Sequence, residues 1–353
     1  MKNQEKVMVI LGWWFGMGAL IQSTVNAIWL SKKLGFRPLI HWGRSCPYNT
    51  GNGEDVYSQY FCSPDIFSQW DFRIKPQVTF PEVFRNQIPP EQSIYEIDRL
   101  ARGIDTYGTH WWRREDREKL LMAEGAVVYQ YLTSHLAWEM VYGLEAPMNC
   151  EEFNWERELI YDEYFQPQEP LKKLAEKFWN ENFTNQEKVL GMHIRGSDKI
   201  IEGGLPSVQK YIKTFNAENS KFHFKGIFLA TDSVKAEKEI KSKLGSNYAV
   251  KCQNYPRSDG VQGIHSKSGG AFENGKDMIV DIEILSRCQT VVAFRGSQIS
   301  WWLEQKRSQM GFDFIPIEAD LVDWIRSGIK VFLHRDFKSF ITFLREANKR
   351  LSK

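Results

Sequence analysis

Three short apolar runs constrain this chain most: Val189–Ile194, Gly226–Ala230 and Thr290–Phe294. Each is strand-length, nearly continuous in apolar character, and ends abruptly in polar residues, as a strand buried on both faces does. Between them lie helical patterns at Ser207–Asn216, Ala236–Leu244 (stopped by Gly245) and Lys276–Arg287, with Ile299–Glu304 opening another. Strands alternating with helices predict a parallel sheet covered on both faces, the α/β class. Ala249–Cys252 reads as one more strand, and the Gly- and Ser-rich Pro256–Lys276 as a loop or lid.

The N-terminal half opens in the same way. Val7–Leu11 reads as a strand, Gly12–Gly18 as a glycine-aromatic loop, Ala19–Leu34 as a helix ended by Gly35, and Arg37–Trp42 as a second strand. This is the opening of a Rossmann-like domain. Its loop has Gly16 and Gly18 but Ile21 at the third glycine of GxGxxG, and no acidic residue follows the second strand at Trp42-Gly43-Arg44. An NAD fingerprint is therefore poorly met, and the loop reads equally as a tight turn or a ligand contact. Ser45–Tyr107 is irregular and aromatic-rich. Trp111 and Trp112 beside Arg113 and Arg114 form either a sugar platform or a buried helix start. Asn149–Pro170 reads as a connection and Leu171–Phe183 as an amphipathic helix. The expected division is 1–168, 169–330 and a C-terminal segment 331–353, whose basic helix Asp336–Leu351 is expected to return to the first domain.

A net charge of +2 over 353 residues excludes a general nucleic-acid binder, which needs a basic surplus. The 14% aromatic content leans weakly toward a carbohydrate ligand. Cys46, Cys62, Cys150, Cys252 and Cys288 form no CxxC pair, which points to free thiols in a reducing compartment. Val7–Ile21 superficially resembles a signal peptide, but glycines interrupt it and no cleavage site follows. It is also too short to span a bilayer, so the expected location is cytoplasmic.

The strand ends carry the chemistry. His193, Arg195, Asp198 and Lys199 emerge around the bend Gly196-Ser197; Thr231-Asp232 and Arg295-Gly296-Ser297-Gln298 end the other two strands. In a parallel sheet these clusters share one edge, where open α/β sheets bind ligands. Arg195 is the leading phosphate contact, because a guanidinium meets phosphate oxygens with paired hydrogen bonds. No GxxxxGK[ST], HExxH, DxD-like pair or His/Cys cluster occurs, so no metal is expected. Any phosphate must be met by Arg, Lys and backbone amides.

HIRGSDK at 193–199, IFLATDS at 227–233, IVDIEILSRC at 279–288 and GSQ at 296–298 resemble motifs of the GDP-fucose-dependent fucosyltransferase superfamily, particularly the α1,6- and nodulation fucosyltransferases. Phe15-Gly16 and the following helix resemble that family's N-terminal glycine loop, which implies loop contacts from Phe15, Gly16 and Gly18. The resemblance implies a GT-B fold of two facing Rossmann-like domains, with the donor held mainly by the second. It implies inverting, metal-independent transfer of fucose from GDP-fucose, without a cofactor, to a glycan or other hydroxyl acceptor. It further implies that Arg195 holds the β-phosphate, His193 lies at the nucleotide and Asp281 reads guanine. Ser297 and Gln298 fall near the phosphates, and Asp198, Lys199, Thr231 and Asp232 at other site positions. Glu202 and Tyr211 align, after a one-residue deletion, with an acceptor-activating glutamate and a nearby tyrosine.

The chemistry of these residues suits such roles. A carboxylate can accept from guanine N1–H and N2–H together, a donor pair that adenine lacks. Arg195 would stabilise charge on a diphosphate leaving group, and Glu202 would serve as base toward the acceptor hydroxyl. Two positions depart from the family pattern: Gly196 replaces a second arginine and Ser233 a second aspartate. Another GDP-sugar, a catalytically idle nucleotide- or glycan-binding protein and, on the β–α alternation alone, an NAD-dependent dehydrogenase are the competing readings.

Overall fold

The computed structural model describes residues 6–12, 16–43, 46–49, 55–62, 78–80, 114–123, 125–129, 132–144, 151–183, 188–196, 204–258, 270–334, 340–341, 343–344 and 347. The chain forms two compact units. The first comprises Met1–Gln168 with Gly270–Gly275, the second Glu169–Gly269 with Lys276–Lys353.

In the first unit, β1 (Val7–Leu11), β2 (Arg37–His41), β4 (Val78–Phe80) and β5 (Gly125–Tyr129) make a parallel sheet of order β2-β1-β5-β4. The helix Met17–Lys33 is almost wholly buried beside it, as its apolar run Leu20–Leu30 requires. The short strands β3 (Phe61–Cys62) and β6 (Gln166–Pro167) pair antiparallel. The expected connection at Asn149–Pro170 is instead largely the helix Glu151–Tyr164. Phe153, Ile160, Tyr161 and Tyr164 recur at helical spacing and are buried, and the ring of Phe153 meets Trp29 edge-on at 4.6 Å. Acidic residues on its other side hold the Met17–Lys33 helix: Glu156 accepts from Trp29 Nε1 at 2.7 Å and pairs with Lys33 at 2.5 Å.

The second unit contains β7 (Val189–Ile194), β8 (Gly226–Thr231), β9 (Ala249–Lys251), β10 (Thr290–Phe294) and β11 (Asp313–Ile317), all parallel. Their order is β11-β10-β7-β8-β9. Counted from β7, this is 5-4-1-2-3, the order of a doubly wound sheet. On one face Leu190, Met192 and Ile194 pack with Tyr211 and Phe215 of the helix Val208–Phe222 and Ile240 of the helix Val234–Leu244. The other face receives the helix Ala271–Leu285: a Cβ on Gly191 would lie 2.8 Å from Leu285 Cδ2, so a side chain there would push this helix away. Pro316 stands in β11, an edge strand, where a missing backbone donor is tolerated.

The helix Leu321–His334 begins ten residues before the expected segment 331–353, within which residues 340, 341, 343, 344 and 347 are helical again. Phe343 beyond it packs on Trp324 at 5.5 Å, within the second unit rather than the first, to which that segment was expected to return. A face carrying Asp323, Trp324, Ser327 and Val331 is buried, while Val322, Ile325, Ile329 and Phe332 lie on the exposed side. No helix among the described residues is long and apolar enough to cross a membrane.

Candidate functional site

The sheet order places β7 beside β10 at the point where the chain leaves to opposite faces, and ligands of open α/β sheets bind outside the carboxyl ends at such a point. Arg195 and Gly196 follow β7 there; Ser297 and the amino end of the 13-residue helix Gln298–Met310 follow β10. A helix start offers unpaired backbone N–H groups suited to an anion.

Asp232, at the end of the neighbouring β8, organises the β7 exit. Its Oδ2 pairs with Arg195 Nη1 at 3.0 Å and its Oδ1 accepts from Gly196 N at 2.8 Å. Thr231 ties the two strand ends together, donating from Oγ1 to Ile194 O at 2.7 Å and accepting from Ser233 N at 3.2 Å. Ser233 caps the next helix, accepting from Ala236 N at 3.2 Å. A Cβ on Gly196 would stand 2.6 Å from Ser233 Cβ, so the small residues at 196 and 233 fit each other.

A second cluster follows β9. Both oxygens of Asp281 are engaged: Gln253 Nε2 donates to Oδ1 at 2.6 Å and Tyr255 Oη to Oδ2 at 2.5 Å. Tyr255 also reaches Thr231 O at 3.4 Å, which links this cluster to the end of β8. Arg257 braces the segment: its guanidinium lies 4.5 Å from the Tyr255 ring centroid, donates to Gln253 O at 2.6 Å and approaches Glu237 at 3.2 Å. Burial pushes the Asp281 carboxyl up to about 7, against the opposing pull of its two hydrogen bonds and of Arg257. The same burial, with Asp281 beside it, holds the Tyr255 phenol well above its usual range.

His193 lies within β7 and faces Ser300, with Nδ1 3.1 Å from Oγ. Burial, then the Arg195 charge, lowers its pKa to about 4, so it is a neutral imidazole at neutral pH. Among the described residues, no three His, Cys, Asp or Glu side chains gather as a metal site.

Residues 145–315 match the family model of nodulation protein Z (NodZ). No curated protein sequence matches the chain. Among solved structures, NodZ α-1,6-fucosyltransferase soaked with GDP-fucose is similar with a TM-score of 0.54 at 16% identity, over 85% of this chain and 92% of that one. Fucosyltransferase NodZ from Bradyrhizobium gives the same TM-score and identity, over 85% and 93%. POFUT1 in complex with GDP reaches 0.57 at 11% identity, over 90% of this chain and 100% of that one. At these identities the structural likeness speaks for the fold, an α/β fold like that of the fucosyltransferases.

Nearly half of the chain thus resembles the NodZ family, and its fold is like that of the fucosyltransferases.

Of the residues singled out in the sequence, Arg195, Thr231 and Asp232 form one connected group, joined through Tyr255 to Asp281. Ser297 is buried at the start of its helix and Gln298 is half-buried beside it. Tyr211 is placed differently from its expected donor role: it is fully enclosed in the core of the second unit, where burial raises its phenol. Gly16 and Gly18 belong to the first unit, at the start of the Met17–Lys33 helix, where Gly16 O accepts from Leu20 N. Phe15, Asp198, Lys199 and Glu202 lie outside the described residues, as do Trp111 and Trp112.

The lid expected at Pro256–Lys276 is anchored at its start: Ser258 N donates to Asp232 O at 2.7 Å and Ser258 O accepts from Val234 N at 2.9 Å. Its far end is helical from Ala271, five residues before the helix start expected at Lys276. Sequence reasoning missed Gln253, Tyr255 and Arg257. One signal was there: if Ala249–Cys252 is a strand of the same parallel sheet, its exit shares the edge of the other three.

Proposed function

We propose that this protein is a glycosyltransferase that transfers fucose from GDP-fucose to a hydroxyl of a glycan or similar acceptor. The observation that carries the reading is the Arg195–Asp232 pair at the β7 exit of a doubly wound sheet, within the stretch that matches NodZ. The similar NodZ structure was soaked with GDP-fucose and the POFUT1 structure is a complex with GDP, which fits a guanine nucleotide here. In this reading the two sheet-bearing units form a GT-B enzyme, with Arg195 holding the donor diphosphate and Asp281 receiving the guanine.

The chemistry follows from these placements. Asp232 fixes one side of the guanidinium, so Arg195 is oriented before substrate arrives. The bond from the sugar anomeric carbon to phosphate breaks with its electron pair passing to the diphosphate, where Arg195 and the amides at the start of helix Gln298–Met310 stabilise the charge. The acceptor oxygen attacks from the opposite face, inverting the centre, as its proton passes to a carboxylate; Glu202 is our choice for that base, with Asp198 and Lys199 nearby in sequence. No metal is required in this scheme, since cationic side chains and backbone amides supply the positive charge. Among the described residues, Cys62, Cys252 and Cys288 are thiols, which fits a cytoplasmic location.

The contact between Gly196 and Ser233 favours a second reading for the sugar alone: with no room at 196 for a second cationic side chain, a different GDP-sugar fits the same nucleotide site. Calorimetry with GDP, ADP and UDP, followed by mass spectrometry of products from several GDP-sugars, tests both. Preference for GDP with fucosyl product supports the first; preference for GDP with another glycosyl product supports the second. No preference for GDP sinks both, and an Arg195→Ala variant with full activity removes Arg195 from the mechanism.

A further inference from the structure

Sequence motifs assign no role to the helix Leu321–His334, yet one of its faces holds the residues just before the helix Val208–Phe222. Asp323 Oδ1 accepts from Ser207 N at 3.1 Å, and one turn on Ser327 Oγ accepts from Leu205 N at 3.0 Å. The helix and the loop therefore run antiparallel: as the helix advances, its partners step backward in sequence. At 3.6 residues per turn, Asp323, Ser327 and Lys330 fall within roughly 60° of one another around the axis. Lys330 is thus the next residue on the face that holds Leu205 and Ser207.

The electrostatic neighbours of Lys330 agree with that placement. Asp232, the partner of Arg195, and Lys235, in the first turn of the helix that follows Asp232, are the charges that act on it most. Lys330 is half-buried, and no carboxylate among the described residues forms an ion pair with it. Burial and the Lys235 charge lower its pKa, with Asp232 opposing them. Asp232 already serves Arg195 and Gly196. Lys330 thus lies within electrostatic reach of the carboxylate that holds Arg195, at a strand exit where an incoming anion would offset the surplus positive charge.

We propose that Lys330, seconded by Lys235, is a further phosphate contact of the donor site, completing with Arg195 a cationic cradle for the nucleotide diphosphate. The inference rests on the nucleotide-sugar reading above and adds to it a residue more than a hundred positions from the Arg195 motif. A lysine there acts as a compact point charge on a flexible stem, complementing the planar guanidinium.

Calorimetry on the full chain, with GDP and with guanosine as probes, tests it in wild type, Lys330→Gln and Lys330→Arg. Loss of a charged phosphate contact should weaken GDP binding of Lys330→Gln by about tenfold or more, leave guanosine binding unchanged, and be largely restored in Lys330→Arg. The salt dependence of GDP binding should also become shallower in Lys330→Gln. Wild-type GDP affinity in Lys330→Gln overturns the inference. So does an equal loss for guanosine, or a Lys330→Arg variant no better than Lys330→Gln, since either marks a merely structural side chain. Wild-type protein that fails to bind GDP overturns instead the donor assignment on which the inference stands.

Discussion

Asp232 offers the sharpest test of how the β7 exit is held. Its two oxygens do separate jobs: Oδ2 faces the Arg195 guanidinium at 3.0 Å and Oδ1 accepts from Gly196 N at 2.8 Å. The side chains are only 15% and 6% exposed, so water substitutes poorly for either partner. Asp232→Asn keeps an acceptor for Gly196 but removes the charge opposite Arg195. Breaking a buried pair costs about 3–5 kcal/mol; with Arg195 partly solvated, about 2–3 kcal/mol is expected. Asp232→Ala also orphans the Gly196 N–H, adding about 1–2 kcal/mol. With a urea slope of about 2.5 kcal/mol per molar, the midpoint should fall by about 1 M for the Asn variant and about 1.5 M for Ala. Urea unfolding followed by circular dichroism reads both shifts. Equal midpoints for Asn and Ala would refute the division of labour between the oxygens, and a midpoint unchanged in both would refute the pair as a determinant of the site. Because Arg195 loses its orienting partner in either variant, turnover with donor should fall even in folded Asp232→Asn.

Other consequences follow from the same geometry. Asp281 should read guanine as a carboxylate, and its pKa is raised to about 7 in the free protein, so GDP affinity should decline as pH falls below about 7, by up to tenfold per unit; calorimetry between pH 5.5 and 8.5 measures this. For stability the sign is opposite: the folded state binds more protons than the unfolded chain between about pH 4 and 7, so the contribution of neutral Asp281 is full below the unfolded value near 4 and is lost as pH rises toward 7. Asp281→Asn should therefore gain stability relative to wild type as pH rises through that window, and a flat difference in denaturation midpoints from pH 4.5 to 8 contradicts the burial argument. Gly196→Ala places a Cβ 2.6 Å from Ser233 Cβ and should cost about 1–3 kcal/mol, while adding Ser233→Gly restores most of it, since glycine at a helix N-cap costs only a few tenths. A thermal-melt double-mutant cycle with no coupling would show that the two residues do not touch.

Much of the second unit was legible because its strands are buried on both faces. Val189–Ile194 and Thr290–Phe294 are strands over those same residues, and a continuous apolar run of that length has few other ways to satisfy its surroundings. The amphipathic helices between them were legible for the same reason. What failed did so where chemistry is shared between distant segments. Glu151–Tyr164 looked like a connection because half its surface is acidic, and only the lysines and Trp29 of the Met17–Lys33 helix turn those acids into contacts. Tyr211 looked like a ligand residue by alignment, yet its helix turns it into the sheet. The exposed apolar side of Leu321–His334 left that helix without the clean pattern that marks the others.

The sequence by itself determined the α/β class, the strand exits and the candidate Arg195, because apolar periodicity and turn chemistry are local and act through near neighbours. Only the tertiary structure decided what those exits meet. The order β11-β10-β7-β8-β9 sets β7 against β10, Asp232 against Arg195, and Gln253 and Tyr255 against Asp281. These are pairings across many tens of residues. Their partners are chosen by packing and by the need to neutralise buried charge, which no local pattern records.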